Sequence, residues 1–272
     1  MNYIAFNFEI SSIEQSEQLV ALLSEESFDG FEENELYLKA FIAEDLFSIP
    51  ALDTILKLYP DLIFTKKIVE NINWNQQWES SFEPVLVDDF VAVRASFHQP
   101  ILTVAHEIII TPKMSFGTGH HATTYLMMKE MQSIDFKKKE VFDFGTGTAI
   151  LAILAEKLGA KKIFAIDNDE WSIINSQENI AQNNCTTISV EAHNKIIGLY
   201  NYDIILANIN LNVITENISD LKKVAKTGCI LLLSGFLKEN EETLKATVAL
   251  AGFHYGHTVQ KGEWIAMIIF NI

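Results

Sequence analysis

The fold of this chain is decided by one segment, Val141-Phe-Asp-Phe-Gly-Thr-Gly-Thr-Ala-Ile150, in which an apolar strand turns through glycines into a helix. Glycine at such a turn takes a positive φ without a Cβ clash and lets the backbone approach a ligand closely. Asp167 ends the next apolar segment, about 20 residues after Gly145, where doubly wound α/β proteins hold a carboxylate against the hydroxyls of a ribose. The segment therefore predicts a nucleoside site at the carboxyl ends of parallel strands.

The composition of the glycine loop separates two classes of nucleotide cofactor. A dinucleotide site requires Gly-x-Gly-x-x-Gly or Ala, because the helix packs closely at the third position. Counted from Gly145, that position is Ile150, and the loop has no Lys or Arg for a pyrophosphate. An acidic residue before Gly-x-Gly is instead typical of S-adenosylmethionine sites. We therefore predict S-adenosylmethionine as the cofactor, bound at Gly145, Gly147 and Asp167; a tight turn without a ligand is the alternative.

Apolar strands alternate with helices between residues 139 and 250, and two further strands follow at about residues 253–259 and 264–270. This alternation indicates α/β architecture, with a parallel sheet covered by helices on both faces. Seven strands can be counted in all, so we predict a doubly wound, mostly parallel seven-stranded sheet.

Two segments precede this predicted catalytic domain, which we place at residues 85–272. Residues 1–68 have the order strand–helix–strand–strand–helix–strand, which is typical of a ferredoxin-like α+β domain. Residues 69–84, with Trp74 and Trp78 one helical turn apart, are predicted to form a linker helix. The catalytic domain is expected to start with a short hairpin.

The length and the net charge of the chain limit the functions that it can have. The chain has 272 residues, typical of about two domains, and a formal net charge of −16 without a basic stripe. Stable nucleic-acid binding is therefore not expected, whereas an acidic enzyme attracts a cationic substrate; acidity that serves only solubility is the alternative. We see no signal peptide, no apolar stretch long enough to cross a membrane and no set of metal ligands. These features predict a cytoplasmic monomer without a metal.

A second glycine-rich loop precedes the first strand of the predicted sheet. It reads Ser115-Phe-Gly-Thr-Gly-His-His-Ala-Thr-Thr124 and leads into a helix. Threonines and glycines at a helix start offer hydroxyls, N–H groups and close backbone approach in one place. We expect this loop to fold over the cofactor; a flexible turn is the alternative.

Several short motifs together carry a resemblance to one known family. They are Phe116-Gly-Thr-Gly-x-His121-x-Thr-Thr124, Asp143-Phe-Gly-x-Gly, Ile166-Asp167, Ala207-Asn208-Ile209, Leu233-Ser-Gly235 and Glu263-Trp264. Over nearly its whole length the chain resembles the PrmA enzymes, which methylate large-subunit ribosomal protein eleven. The resemblance implies a class I S-adenosylmethionine-dependent methyltransferase whose sheet ends in an antiparallel hairpin.

The resemblance also assigns roles to single residues. It implies that Thr124, Gly145, Asp167 and Asn208 contact S-adenosylmethionine. It implies that the front domain recognises a basic ribosomal large-subunit protein, and that a flexible linker lets this domain reorient. The chain departs from the family's third loop glycine at Ala149.

Asn208 is the candidate catalytic residue. An amine attacks a methyl group only when it is neutral and in line, and such orientation is worth up to about 7–11 kcal/mol. We expect the Asn208 side chain and nearby carbonyls to orient the amine without a dedicated general base. Enzymes that methylate planar amides or bases have prolines and an aromatic residue here, and Asn208-Ile-Asn-Leu211 lacks them. Lysine side chains or an N-terminal amine are therefore the expected acceptors.

Two other functions remain open from the sequence. An RNA methyltransferase that reads RNA with its front domain would show salt-dependent RNA binding; the net charge of −16 argues against it. A non-catalytic binding module that has lost its cofactor would fail to bind S-adenosylmethionine. The presence of Asp167 and Asn208 argues against that second alternative.

Overall fold

The computed structural model describes residues 2–34, 36–69, 82–112, 119–196 and 201–272. By its contacts the chain divides into two compact units, Met1–Ser81 and Phe82–Ile272. The predicted linker helix, at residues 69–84, falls largely on residues 70–81, which lie outside the described residues. The domain boundaries drawn from the sequence stay predictions.

The first unit is a four-stranded antiparallel sheet with two helices. Its elements are β1 (Tyr3–Glu9), α1 (Ile13–Glu25), β2 (Gly30–Glu33), β3 (Tyr37–Ala43), α2 (Ile49–Leu58) and β4 (Phe64–Val69). The strands lie in the order β2-β3-β1-β4, and alternate residues of the central β1, Ile4, Phe6 and Phe8, enter the core. The element order is the one predicted from the sequence; the assignment to the ferredoxin-like class stays a prediction.

The second unit begins with a three-stranded sheet. β5 (Val85–Val87) pairs with β6 (Val91–Ala95) in the antiparallel sense of the predicted hairpin. β6 also pairs in parallel with β7 (His106–Ile110), a strand that the sequence interpretation did not include. The buried guanidinium of Arg94 donates to both carboxylate oxygens of Glu107, at 2.8 and 2.9 Å, and so joins β6 to β7.

A seven-stranded sheet between helices makes up the rest of the second unit. Its elements are α3 (Ala122–Met131), β8 (Glu140–Phe144), α4 (Ile150–Lys157), β9 (Lys162–Asp167), α5 (Glu170–Gln182), β10 (Ile188–Ala192), β11 (Tyr202–Asn208), α6 (Leu211–Val224), β12 (Ala225–Leu237), α7 (Glu241–Leu250), β13 (His254–Lys261) and β14 (Trp264–Asn271). The strand order is β10-β9-β8-β11-β12-β14-β13. β14 is antiparallel to both of its neighbours and the other pairs are parallel. The predicted doubly wound, mostly parallel sheet is confirmed.

Both faces of this sheet are buried by helices. In β11, Ile204 and Leu206 belong to the core cluster that includes α3 and α4, whereas Ile205 and Ala207 belong to the cluster that includes α6 and α7. Burial on both faces explains why residues 204–207 of this strand are apolar without alternation. Among the helices that the structure describes, none has the length and apolar character that spanning a bilayer requires.

Candidate functional site

A cavity of about 870 Å³ opens at the carboxyl ends of β8, β9 and β11. β8 lies between β9 and β11, where the strand order reverses, and doubly wound proteins bind ligands at this point. The volume is typical of small-molecule sites. The cavity lining includes Thr124, Gly145, Gly147, Asp167 and Asn208. The fold therefore brings together every residue that the sequence predicted for the site.

Backbone hydrogen bonds hold the glycine loop after β8 against Asp167. Gly145 and Gly147 have φ values of +77° and +56°, which favour glycine. The N–H of Gly147 donates to Oδ2 of Asp167 at 2.8 Å, and the N–H of Asp169 donates to Oδ1 at 3.1 Å. Because a carboxylate has about four acceptor positions, each oxygen keeps capacity for a further donor, such as a ribose hydroxyl.

Asp143, the acidic residue of the motif, is buried and supports the loop from inside. Its Oδ2 accepts a hydrogen bond from Oγ1 of Thr146 at 2.6 Å. Burial raises the pKa of the Asp143 carboxyl from its ordinary value of 3.8 to about 7; the Thr146 hydrogen bond opposes this rise and the charge of Asp167 adds to it. The carboxyl is therefore close to its midpoint of titration at neutral pH.

Ala149 ends the loop in a conformation that favours glycine. Its φ is +63° and its side chain is fully buried. A residue with a Cβ loses about 1–2 kcal/mol in the left-handed region. The chain therefore carries backbone strain at the last position of the glycine loop.

Helix α5 joins the glycine loop to the small sheet, a link that sequence reasoning missed. The fully buried Asn179 donates from Nδ2 to the carbonyl of Thr148 at 2.9 Å and accepts at Oδ1 from the N–H of Thr111 at 2.8 Å. One turn later, Asn183 accepts at Oδ1 from the N–H of Ile109 and donates from Nδ2 to the carbonyl of the same residue. The spacing of these asparagines, four residues apart on one helical face, was the available signal.

Asn208 ends β11 and lines the cavity. Its Nδ2 donates to Oγ1 of Thr124 at 3.3 Å. Its Oδ1 is buried and has no hydrogen-bond partner in the described parts of the chain. Because buried polar atoms in folded proteins are nearly always paired, this oxygen indicates a place for a ligand donor.

Further side chains in the lining were not predicted as site residues. They are His121, His193, Asn194 and Trp264. His121 is the N-cap residue of α3. Its Nδ1 lies 2.8 Å from Oγ1 of Thr123, and its ring meets that of Trp264 edge to face at 4.5 Å. The N–H of His193 donates to the carbonyl of Asp167 at 2.8 Å. For His193 and Asn194 the signal was a pair of polar residues directly after a strand; for His121 and Trp264 it was their place in the short family motifs.

The predicted cover of the cavity by the second glycine-rich loop falls on residues 113–118, outside the described residues. The described end of that loop begins at Gly119, which has a φ of +88°. Thr123 and Thr124 follow in the first turn of α3 and line the cavity. The threonines of the motif are thus at the site. That the preceding loop covers the cavity stays a prediction.

The chemistry of the lining fits S-adenosylmethionine. A Cβ at Gly145 would lie 2.1 Å from Cγ2 of Ile209, so this position of the cavity lining has no room for a larger residue than glycine. Among the described lining residues none is Lys or Arg, which suits a cationic sulfonium and not a phosphate. The carboxylate of Asp167 has acceptor positions left for hydroxyl groups such as those of a ribose. Among the described residues, no group of three His, Cys, Asp or Glu side chains is placed to hold a metal ion.

The sequence is similar to one family of enzymes over almost its full length. The family described as ribosomal protein L11 methyltransferase (PrmA) matches residues 7–271. The chain is 39% identical over 282 residues to the ribosomal protein L11 methyltransferase of Porphyromonas gingivalis, and the alignment covers 98% of this chain and 97% of the relative. It is 33% identical over 276 residues to that of Bacteroides fragilis, with 98% and 99% covered.

Solved structures show the same architecture. The crystal structure of ribosomal protein L11 methylase from Lactobacillus delbrueckii subsp. bulgaricus matches with a TM-score of 0.65 and 26% identity, and the match covers 70% of this chain and 99% of that chain. A methyltransferase from Pyrococcus furiosus matches with a TM-score of 0.52 and 18% identity, and the match covers 60% and 88% of the two chains. The second likeness shows the fold alone.

Proposed function

Because the chain belongs to the ribosomal protein L11 methyltransferase (PrmA) family, we propose that it transfers methyl groups from S-adenosylmethionine to amino groups of ribosomal protein L11. One observation carries the proposal: Thr124, Gly145, Gly147, Asp167 and Asn208 line one cavity at the reversal point of the sheet. The absence of Lys and Arg among its described lining residues supports a cationic methyl donor. The unpaired Oδ1 of Asn208 supports an amine acceptor.

The cofactor is proposed to lie along the glycine loop. Asp167 would accept from its ribose hydroxyls, and the backbone of Gly145 and Gly147 would contact it without side chains in the way. When bound, S-adenosylmethionine supplies a methyl group attached to a cationic sulfur. Thr124 would orient the Asn208 amide, since its hydroxyl accepts the hydrogen bond from Nδ2 of Asn208.

Asn208 is proposed to orient the acceptor amine. A lysine amine, with a pKa near 10.4, costs about 4–5 kcal/mol to neutralise at pH 7, whereas an α-amine near 7.7–8.0 costs about 1 kcal/mol. Since Nδ2 of Asn208 already donates to Thr124, Oδ1 is the atom that remains to accept an N–H from the amine. The positive charge of a bound sulfonium lowers the pKa of a nearby amine. No dedicated general base is therefore required.

The first unit is proposed to be a ferredoxin-like domain that recognises the ribosomal protein. Residues 1–81 contain 15 acidic and 4 basic residues, which is −11 of the total of −16. An acidic surface attracts a basic protein and repels RNA phosphates. We propose that the enzyme acts in the cytoplasm as a monomer and on free L11, without stable RNA binding.

The proposal is tested by a methylation assay read by intact mass. Purified L11 and bare ribosomal RNA are incubated separately with the enzyme and S-adenosylmethionine. Methyl-sized increments on L11 alone are expected, and Asp167→Ala is the negative control. Increments on RNA, or none on either despite cofactor binding, would contradict the substrate. Peptide mapping then identifies the modified amines.

A further inference from the structure

The turn that carries Asn208 is packed between two glycines that are distant in sequence. This turn, Asn208-Ile209-Asn210, connects β11 to α6. Gly145 lies on one side of it and Gly235 on the other, and all five residues line the cavity. Neither glycine has room for a side chain, because each meets Ile209 at close range.

The contact with Gly145 is made by the Ile209 side chain. A Cβ at Gly145 would lie 2.1 Å from Cγ2 of Ile209 but 3.6 Å from its Cβ. Gly145 is itself fixed, since its N–H donates to the carbonyl of Ile166 at 2.9 Å. The β-branched methyl of Ile209 therefore occupies the space that glycine leaves beside the cofactor loop.

The contact with Gly235 is made by the Ile209 backbone. Gly235 has a φ of +102° and lies at a β-bulge, where the register of β12 against β14 shifts between Ser234 and Phe236. A Cβ at Gly235 would lie 2.2 Å from the carbonyl oxygen of Ile209, 2.7 Å from its carbonyl carbon and 2.9 Å from its nitrogen. The N–H of Ile209 also donates to the carbonyl of Ser234 at 3.1 Å. The bulge therefore fixes this peptide from the side opposite to Gly145.

The Asn208 amide depends on this packing, because the described residues offer it little else. The hydrogen bond from its Nδ2 to Thr124 is long, at 3.3 Å, and its Oδ1 has no protein partner in the described chain. A neighbouring residue that is held from both sides supplies the rigidity that the side chain itself lacks.

We propose that Ile209 is a positioning residue, which sets Asn208 against the cofactor loop through the contact of its Cγ2 with Gly145. The inference rests on the proposed function, in which Asn208 orients the acceptor amine. Displacement of a reacting group by about 1 Å can lower the rate about 100-fold. Ile209 thus controls turnover through Asn208 and not by contact with a reacting atom.

Two substitutions of the same residue separate this role from ordinary packing. Ile209→Val keeps the β-branch that meets Gly145, and Ile209→Leu keeps the volume but moves the branch one carbon outward. We expect kcat for L11 methylation to fall less than about threefold in I209V and about tenfold or more in I209L. The dissociation constant for S-adenosylmethionine should change less than about threefold in both. A packing role alone predicts the reverse order, because Leu conserves the volume of Ile and Val loses a methylene.

A pair of double-mutant cycles tests the contact itself by calorimetry with S-adenosylmethionine. Ile209→Ala removes Cγ2, so the loss of affinity caused by Gly145→Ala should be at least about fivefold smaller in the I209A background. Gly235→Ala meets backbone atoms that I209A retains, so its effect should be the same in both backgrounds. This second cycle is the matched control.

The cycles separate failure of the inference from failure of the proposed function, since cofactor binding needs no protein substrate. Coupling between positions 145 and 209 together with a faster I209V than I209L supports the inference. An equal kcat in I209V and I209L, or a G145A effect that I209A leaves unchanged, overturns it. If the variants show the coupling but the wild-type enzyme leaves L11 unmethylated, only the proposed function is contradicted.

Discussion

The two walls of the cavity are built by different means. The cofactor wall, residues 143–149 with Asp167, is formed by backbone N–H groups and by glycine conformations that are local in sequence. The acceptor wall, residues 208–210, has its position set by residues of other elements, among them Thr124 and Gly235. A short motif therefore carries most of the signal for the first wall, whereas the position of the second is a product of tertiary packing.

The largest effect is expected from Asp167→Ala in the cofactor wall. Hydrogen bonds to a charged acceptor are worth about 1.5–3 kcal/mol each, so the loss of those from a ribose should weaken S-adenosylmethionine binding about 100-fold or more. Asp167→Asn keeps the shape without the charge and should show an intermediate loss. Calorimetry measures both. A change of less than about threefold in D167A would contradict the assignment of this residue to the ribose.

Asn208→Ala tests whether the acceptor wall is separate from the cofactor wall. We expect kcat to fall about 100-fold, because a positioned hydrogen-bonding group is lost. The affinity for S-adenosylmethionine should fall by less, about tenfold at most, because Asn208 is also expected to contact the cofactor through a hydrogen bond. Asn210→Ala in the same turn is the matched control, because Asn210 makes no side-chain cap bond to α6, and it should lose less activity. If cofactor affinity falls as much as turnover in N208A, the distinction between the walls is wrong.

Asp143→Asn tests whether the Asp143 carboxyl makes the stability of the fold depend on pH. The folded-state pKa of about 7 lies above the ordinary 3.8, so between these values the folded chain holds a proton that the unfolded chain has lost. Stability from this group is full below about pH 4 and is lost as the pH rises through about 7. Because asparagine does not titrate, the fall in unfolding free energy between about pH 5 and pH 8 should be about 1–3 kcal/mol smaller in D143N. Urea denaturation at both pH values measures this difference, and parallel pH profiles of the two proteins would refute it.

The smallest effect is expected from Ala149→Gly. Relief of the positive φ should stabilise the fold by up to about 1 kcal/mol, since the added flexibility of glycine in the unfolded chain offsets part of the gain. The urea midpoint measures it, with Ala152→Gly in the regular part of α4 as the control that should destabilise. A loss of stability in A149G would show that the buried methyl group matters more than the strain.

The sheet and the cofactor wall could be predicted because their signals are local. The apolar run of β11 and the glycines after β8 each lie within one element and its turn. Asp167 could be predicted because parallel strands bring their carboxyl ends to one edge, so a residue at the end of β9 must lie near the end of β8.

The missed features depend on partners that sequence spacing does not reveal. His106–Ile110 has only three consecutive apolar residues, and it forms a strand because β6 is available as a parallel neighbour. From the sequence, Asn179 is only a polar residue in a helix. Its role depends on the carbonyl of Thr148 and the N–H of Thr111, which are distant in sequence. Gly235 was part of a family motif to which the sequence assigned no role, because its role is to leave space for the backbone of Ile209.

The position of β14 within the sheet has a consequence for the timing of folding. β14 follows every other strand of the sheet in the chain, yet it lies between β12 and β13 and pairs with both. During synthesis β12 and β13 therefore emerge from the ribosome with no partner between them, and the sheet cannot close until residues 264–271 have followed. Trp264, at the start of that strand, also lines the cavity. The cavity is therefore complete only once Trp264 has left the ribosome and β14 has paired with β12 and β13.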